Sequence, residues 1–144
     1  MKHRLALAAL AALFTAPLAF AQQPSHLGRW IVESGNLEIE IAPCADALCG
    51  KVVRVIANRA MGGPGHAAPP NAPSPLGLVI LSDLKADDDG QLKGRIYNRE
   101  SDKHYSATVK MGAPDQLLVH GYVGLPVFGK TQVWHRPGQP DIKP

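Results

Sequence analysis

The sequence predicts an all-β protein, an antiparallel up-and-down barrel of about eight strands. Short runs of alternating apolar and polar residues recur along it, and tight turns rich in glycine, proline and aspartate separate them. Beyond the N-terminal apolar segment no amphipathic helix pattern interrupts the series. Consecutive hairpins favour a barrel over a sandwich, and closure removes the sheet edges that invite aggregation.

The chain opens on Lys2, His3 and Arg4, continues through the apolar residues 5–14, and reaches the small-residue pattern Ala19-Phe20-Ala21. Residues 1–21 therefore read as a secretory signal peptide cleaved after Ala21, with a periplasmic or secreted mature protein expected. The apolar run is short and Pro17 interrupts its continuation, so no transmembrane segment is expected in the mature chain. No cysteine follows the cleavage site to carry a lipid anchor.

Removing 21 of the 144 residues leaves 123, enough for one core that buries roughly two-thirds of its unfolded surface. Lys2 and Arg4 leave with the leader, so 15 basic side chains become 13 against 12 acids and the formal charge falls from +3 to +1. Without a clustered basic footprint, nucleic acid is not an expected partner.

Residues 22–27 form a flexible leader, and the barrel domain is expected over residues 28–137. The first strand starts at Gly28-Arg29-Trp30, and Ser34-Gly35-Asn36 turns the chain into the second. There Leu37, Ile39 and Ile41 alternate with Glu38 and Glu40, a half-buried strand with its carboxylates outward. Proline and glycine bracket the next reversal, Pro43 to Gly50, and the β-branched run Val52, Val53, Val55 and Ile56 makes the third strand. Cys44 and Cys49 lie across that reversal. Two cysteines so spaced in an exported chain are expected to form a disulfide, because a redox pair is more typically C-x-x-C at a helix start.

Residues 57–76 are rich in proline and glycine and read either as a surface insertion or as a lid over a cavity. Leu78 to Leu81 make a short buried strand. Asp87-Asp88-Asp89-Gly90 then turns the chain, lacking the ligand spacing and terminal glutamate of a calcium loop. Leu92 to Asn98 is the next strand, and Arg99 to Asp102 the next turn. Tyr105, Ala107, Val109 and Met111 alternate with His104, Ser106, Thr108 and Lys110. After Gly112 to Asp115, Leu117, Val119, Gly121 and Val123 share one face. The last strand runs from about Phe128 to Arg136, where Pro137-Gly138 forbids continuation, and residues 138–144 are a polar tail.

Closure of an even-stranded barrel pairs the first and last strands antiparallel, which brings Trp30 beside Arg136. A guanidinium on an indole gains about 0.5 to 2 kcal/mol and plugs one barrel end. Gly28-x-Trp30 with a late Arg136 resembles the lipocalin and wider calycin signature. More specifically, the chain resembles the bacterial exported family catalogued as domain of unknown function 2147. The likeness rests on Gly28-Arg29-Trp30, Ile41-Ala42-Pro43-Cys44, Leu48-Cys49-Gly50-Lys51, Gly77-Leu78, Lys93 to Tyr97, Tyr105-Ser106-Ala107, Leu117 to Tyr122 and Gly129 to Arg136. It departs at Arg99 and Asp102, where the family's turn tends to carry proline and glycine. The resemblance implies a small lipocalin-like barrel in the periplasm or outside the cell, and brings no catalytic residues.

No Gly-x-Ser-x-Gly, His-Glu-x-x-His or phosphate-binding loop occurs, so no catalytic residue and no cofactor is assigned. The histidines are scattered and no metal site is assigned; His104 and His120, on adjacent hairpin strands, are the pair to inspect. The expected role is binding a small apolar or amphipathic ligand inside the barrel, with Leu37, Ile39, Ile41, Tyr105, Val109, Met111 and Val119 as candidate lining. Tyr97, Tyr122 and Trp134 read either as residues of a cavity mouth or as packing residues. The alternative is a cell-envelope interaction module with a filled barrel and an unidentified protein partner.

Overall fold

The computed structural model describes residues 25–57 and 73–138. The expected signal peptide, residues 22–24 of the leader, residues 58–72 of the long connection and residues 139–144 of the tail lie outside the described residues.

Eight strands follow one another: β1 (Gly28–Ile31), β2 (Leu37–Cys44), β3 (Ala47–Val55), β4 (Val79–Ala86), β5 (Leu92–Asn98), β6 (Lys103–Met111), β7 (Gln116–Tyr122) and β8 (Lys130–His135). Each pairs with the next, and β8 returns to β1 through Ile31 opposite His135, closing an antiparallel up-and-down barrel. The one helical element among the described residues is a 3-10 turn, Pro126–Phe128.

Alternation along the strands sends Leu37, Ile39 and Ile41 of β2 inward, and Val52, Ile80, Leu84, Leu92, Val109, Leu117, Val119, Trp30 and Trp134 join them. All are essentially excluded from water. Fully burying one such side chain is worth about 1.5 to 3 kcal/mol, so this interior is the main source of cohesion.

Three boundaries differ from the sequence expectation. β2 and β3 continue to Cys44 and Ala47, leaving Ala45-Asp46 as the hairpin tip, with Ala45 at φ 52°. The expected disulfide, with its Cα atoms 5.8 Å apart, therefore staples the β2–β3 hairpin next to its tip. β4 runs on to Ala86 because a bulge at Asp83, φ 55°, resets its alternation after Leu81. β8 starts at Lys130, since Pro126 initiates the 3-10 turn and Phe128 and Gly129 donate their amides to Leu125 and Pro126.

The topology gives the barrel two distinct ends. The chain enters at one with Gly28, and the Ala45-Asp46 tip, the turn after β4, the turn after β6 and Arg136 gather there. The turn after β1, the long connection after β3, the turn after β5 and the segment 123–129 all emerge at the other.

Arg136 closes the first end. Its guanidinium carbon lies 3.7 Å from the Trp30 ring centroid. Nη1 donates to the carbonyls of Leu27 at 2.9 Å and Arg29 at 3.1 Å, and Nη2 to that of Ser25 at 2.8 Å. Trp30 Nε1 donates to the His26 carbonyl at 2.9 Å, so residues 25–27, expected as part of a flexible leader, are tied to the barrel. Gly28 makes this approach feasible: it sits at φ 96°, and an added Cβ would stand 3.0 Å from Arg136 Nη1.

Candidate functional site

At the end opposite Arg136 the barrel is not filled. A cavity of about 340 Å3 opens there, lined by Ile96, Tyr97, Asn98, Tyr105, Val119, Gly121, Tyr122, Val123, Phe128, Gly129, Lys130 and Gln132. Its walls are the last residues of β5 and β7 and the first of β6 and β8, so up-and-down topology assembles the site at one mouth. Across the strands, Ile96 faces Tyr105, Val119 faces Gln132 and Gly121 faces Lys130. Gly121 leaves room: a Cβ there would sit 3.2 Å from Ile96 Cγ2, inside the mouth.

Of the residues expected to line a cavity, Tyr105 and Val119 do so. Leu37, Ile39, Ile41 and Val109 belong to the packed core, and Met111 packs against that core from the opposite end of β6. Tyr97 and Tyr122 are at the mouth, whereas Trp134 is fully buried beneath it, its Nε1 donating to Gln132 Oε1 at 2.9 Å. Sequence reasoning missed most of the remaining lining, including Ile96, Asn98, Lys130 and Gln132. Strand parity carried a signal for the last two, because Trp134 inward places Gln132 and Lys130 on the same face. Val133 and Thr131 between them obscure the pattern by putting an apolar residue outside.

Two phenols are tied to the turn after β5. Tyr97 Oη donates to Asp102 Oδ1 at 2.9 Å, and Tyr105 Oη lies 3.1 Å from Ser101 Oγ. The hydrogen bond to the Asp102 carboxylate raises the Tyr97 pKa, as does burial. Asp102 takes φ 51°, the left-handed conformation that glycine would supply and that aspartate adopts more readily than most residues.

His120, on the outer face, fixes the opposite rim. Nε2 lies 2.6 Å from the Pro126 carbonyl, which can only accept, so Nε2 carries the proton and donates. Nδ1 lies 2.8 Å from Thr131 Oγ1, and the ring stacks on Tyr122 with centroids 5.7 Å apart. Gly129 packs so tightly on this ring and on the Gly121 carbonyl that any Cβ would collide with both. The anchored segment carries Val123, Leu125, Val127 and Phe128 outward, Val127 and Phe128 being 79% and 76% exposed.

His120 stands opposite Thr108, and His104 opposite Tyr97, so the two imidazoles inspected for metal binding do not face one another. Among the described residues, no group of three or more His, Cys, Asp or Glu side chains is placed to hold a metal ion. The Asp87 to Gly90 segment is a turn: Asp87 Oδ1 accepts the amides of Asp89 and Gln91, each at 3.0 Å, and Oδ2 pairs with Lys93 at 3.1 Å. Among the described residues no helix is long and apolar enough to cross a membrane. The mouth therefore offers an apolar and aromatic concavity with a few polar groups, a chemistry of binding.

A family model described as "Uncharacterized protein conserved in bacteria (DUF2147)" matches residues 28–136, from the glycine that makes room for Arg136 to Arg136 itself. No curated protein and no solved structure matches the chain.

Proposed function

The chain belongs to the DUF2147 family of bacterial proteins, and we propose that it is an exported barrel that holds one small apolar or amphipathic molecule in its open-end cavity. The observation that carries this reading is the 340 Å3 cavity, which meets the lower size bound for small-molecule sites and lies opposite the end plugged by Trp30 and Arg136. Export is supported by the leader pattern of residues 1–21 and by the Cys44–Cys49 bridge, a bond that persists in oxidising compartments. Native mass spectrometry on protein purified from the envelope of its own producing cell tests the reading. A non-covalent mass increment that denaturation removes is expected, and a clean polypeptide mass under conditions that retain weak ligands contradicts it.

A second reading is favoured by one observation, the exposed apolar rim of Val123, Leu125, Val127 and Phe128 around the mouth. Contiguous apolar surface of this kind also suits an envelope protein partner. Under that reading, pull-down of a partner from envelope extract depends on the rim, and Leu125→Ser with Val127→Ser abolishes it whether or not the cavity is occupied.

A further inference from the structure

Three polar side chains at the cavity mouth, Asn98, Lys130 and Gln132, present hydrogen-bond donors. Trp134 Nε1 donates to Gln132 Oε1 at 2.9 Å, and because indole only donates, the oxygen must face it. The Gln132 NH2 is thereby left without a protein acceptor among the described residues. Asn98 repeats the pattern: its Oδ1 accepts the backbone amides of Glu100 at 2.8 Å and Ser101 at 3.3 Å, and its NH2 has no acceptor among the described residues. Lys130 shares the inward face with Gln132, and among the described residues it makes no ion pair. Asp102, the carboxylate on the adjoining turn, is engaged by Tyr97. Two amides with uncommitted NH2 groups and one ammonium, none with a partner for those donors among the described residues, thus line the mouth together with Ile96 and Val119.

Resting on the reading of this cavity as a ligand site, we propose that its ligand is an anionic amphiphile, a carboxylate head on an apolar body, with Lys130 as counter-ion and the Asn98 and Gln132 amides as head-group donors. A carboxylate is acceptor-only, so it meets donors of this kind without leaving an unpaired proton of its own. An amine head would face an ammonium and two NH2 groups, and an alcohol accepts from Lys130 without an opposite charge to pair with it. The apolar body then enters toward Ile96 and Val119, whose surface it shields from water.

The test uses three probes with one tail, octanoate, octanol and octylammonium, titrated at pH 7 and low salt into the disulfide-intact protein by calorimetry. Octanoate is expected to bind roughly tenfold tighter than octanol, about 1.4 kcal/mol, with octylammonium weakest. Lys130→Met brings the octanoate-to-octanol ratio to about one, and Lys130→Glu reverses the order in favour of octylammonium. Equal affinities in the native sequence, or a ratio that Lys130→Met leaves intact, overturns the proposal and spares the cavity reading. Binding of none of the three overturns both.

Discussion

Arg136 lies face-on to Trp30, 3.7 Å from the ring centroid, and the same guanidinium donates to the carbonyls of Ser25 and Leu27, which lead into β1, and of Arg29 within it. One side chain thus seals the barrel end and ties down the chain entry. Because Trp30 is fully buried, Trp30→Ala is expected to cost about 3 to 5 kcal/mol in a denaturant titration. Arg136→Lys keeps the charge and loses the planar fork, so it is expected to cost about 1 to 2 kcal/mol. A loss below about 1 kcal/mol for Trp30→Ala would remove the indole from the plug.

Gly94 marks the place where β4 bends. A Cβ there would collide with the Ser82 carbonyl and stand 2.9 Å from the Asp83 carbonyl carbon, all backbone atoms that cannot step aside. Gly94→Ala is therefore expected to destabilise the barrel by more than about 2 kcal/mol, read from the urea midpoint. An unchanged midpoint would mean that the Asp83 bulge yields freely.

The bridge at the β2–β3 hairpin closes a short loop. Its reduction is expected to cost about 2 kcal/mol, because few residues are constrained in the unfolded chain. Alkylation of the native exported protein is expected to label neither Cys44 nor Cys49 until reductant is added, and labelling before that point contradicts the bridge.

Burial lowers the His26 pKa from its ordinary value of 6.5, and Nε2 is buried without a hydrogen-bond partner among the described residues. The folded state thus holds the ring neutral where the unfolded chain accepts a proton. The unfolded state binds more protons once the pH falls below 6.5, so this contribution is intact above that value and is lost on acidification toward the folded pKa. Urea midpoints at about pH 7.5 and about pH 5 are expected to differ less in His26→Gln than in the native sequence. Equal differences contradict the assignment.

The eight-strand series, the closure of first strand on last and the Trp30–Arg136 contact were legible in the sequence, because alternation and turn residues are local signals and closure then follows from strand number. Glu38 was not. Alternation places it outside with Glu40, yet it is only 3% exposed, since Arg29 from β1 at 3.3 Å and Arg54 from β3 at 2.6 Å fold over it. Cross-strand register decides that burial, and one strand read alone does not contain it. The cavity was hidden for a related reason. Inward residues share the same parity whether the space before them is filled or open, so Leu37 and Val109 resemble Val119 in sequence while only Val119 reaches the open space. The bulge at Asp83 likewise rests on a left-handed aspartate that composition does not announce.

The occupied space itself is open to direct observation by methyl and amide NMR during titration with octanoate and octanol. Chemical-shift changes are expected at Ile96, Tyr105, Val119 and Gln132, with Trp30 and Ile41 at the plugged end unmoved. Changes confined to Leu125 and Val127 on the outer rim, with Ile96 and Val119 silent, would contradict a ligand held within the barrel.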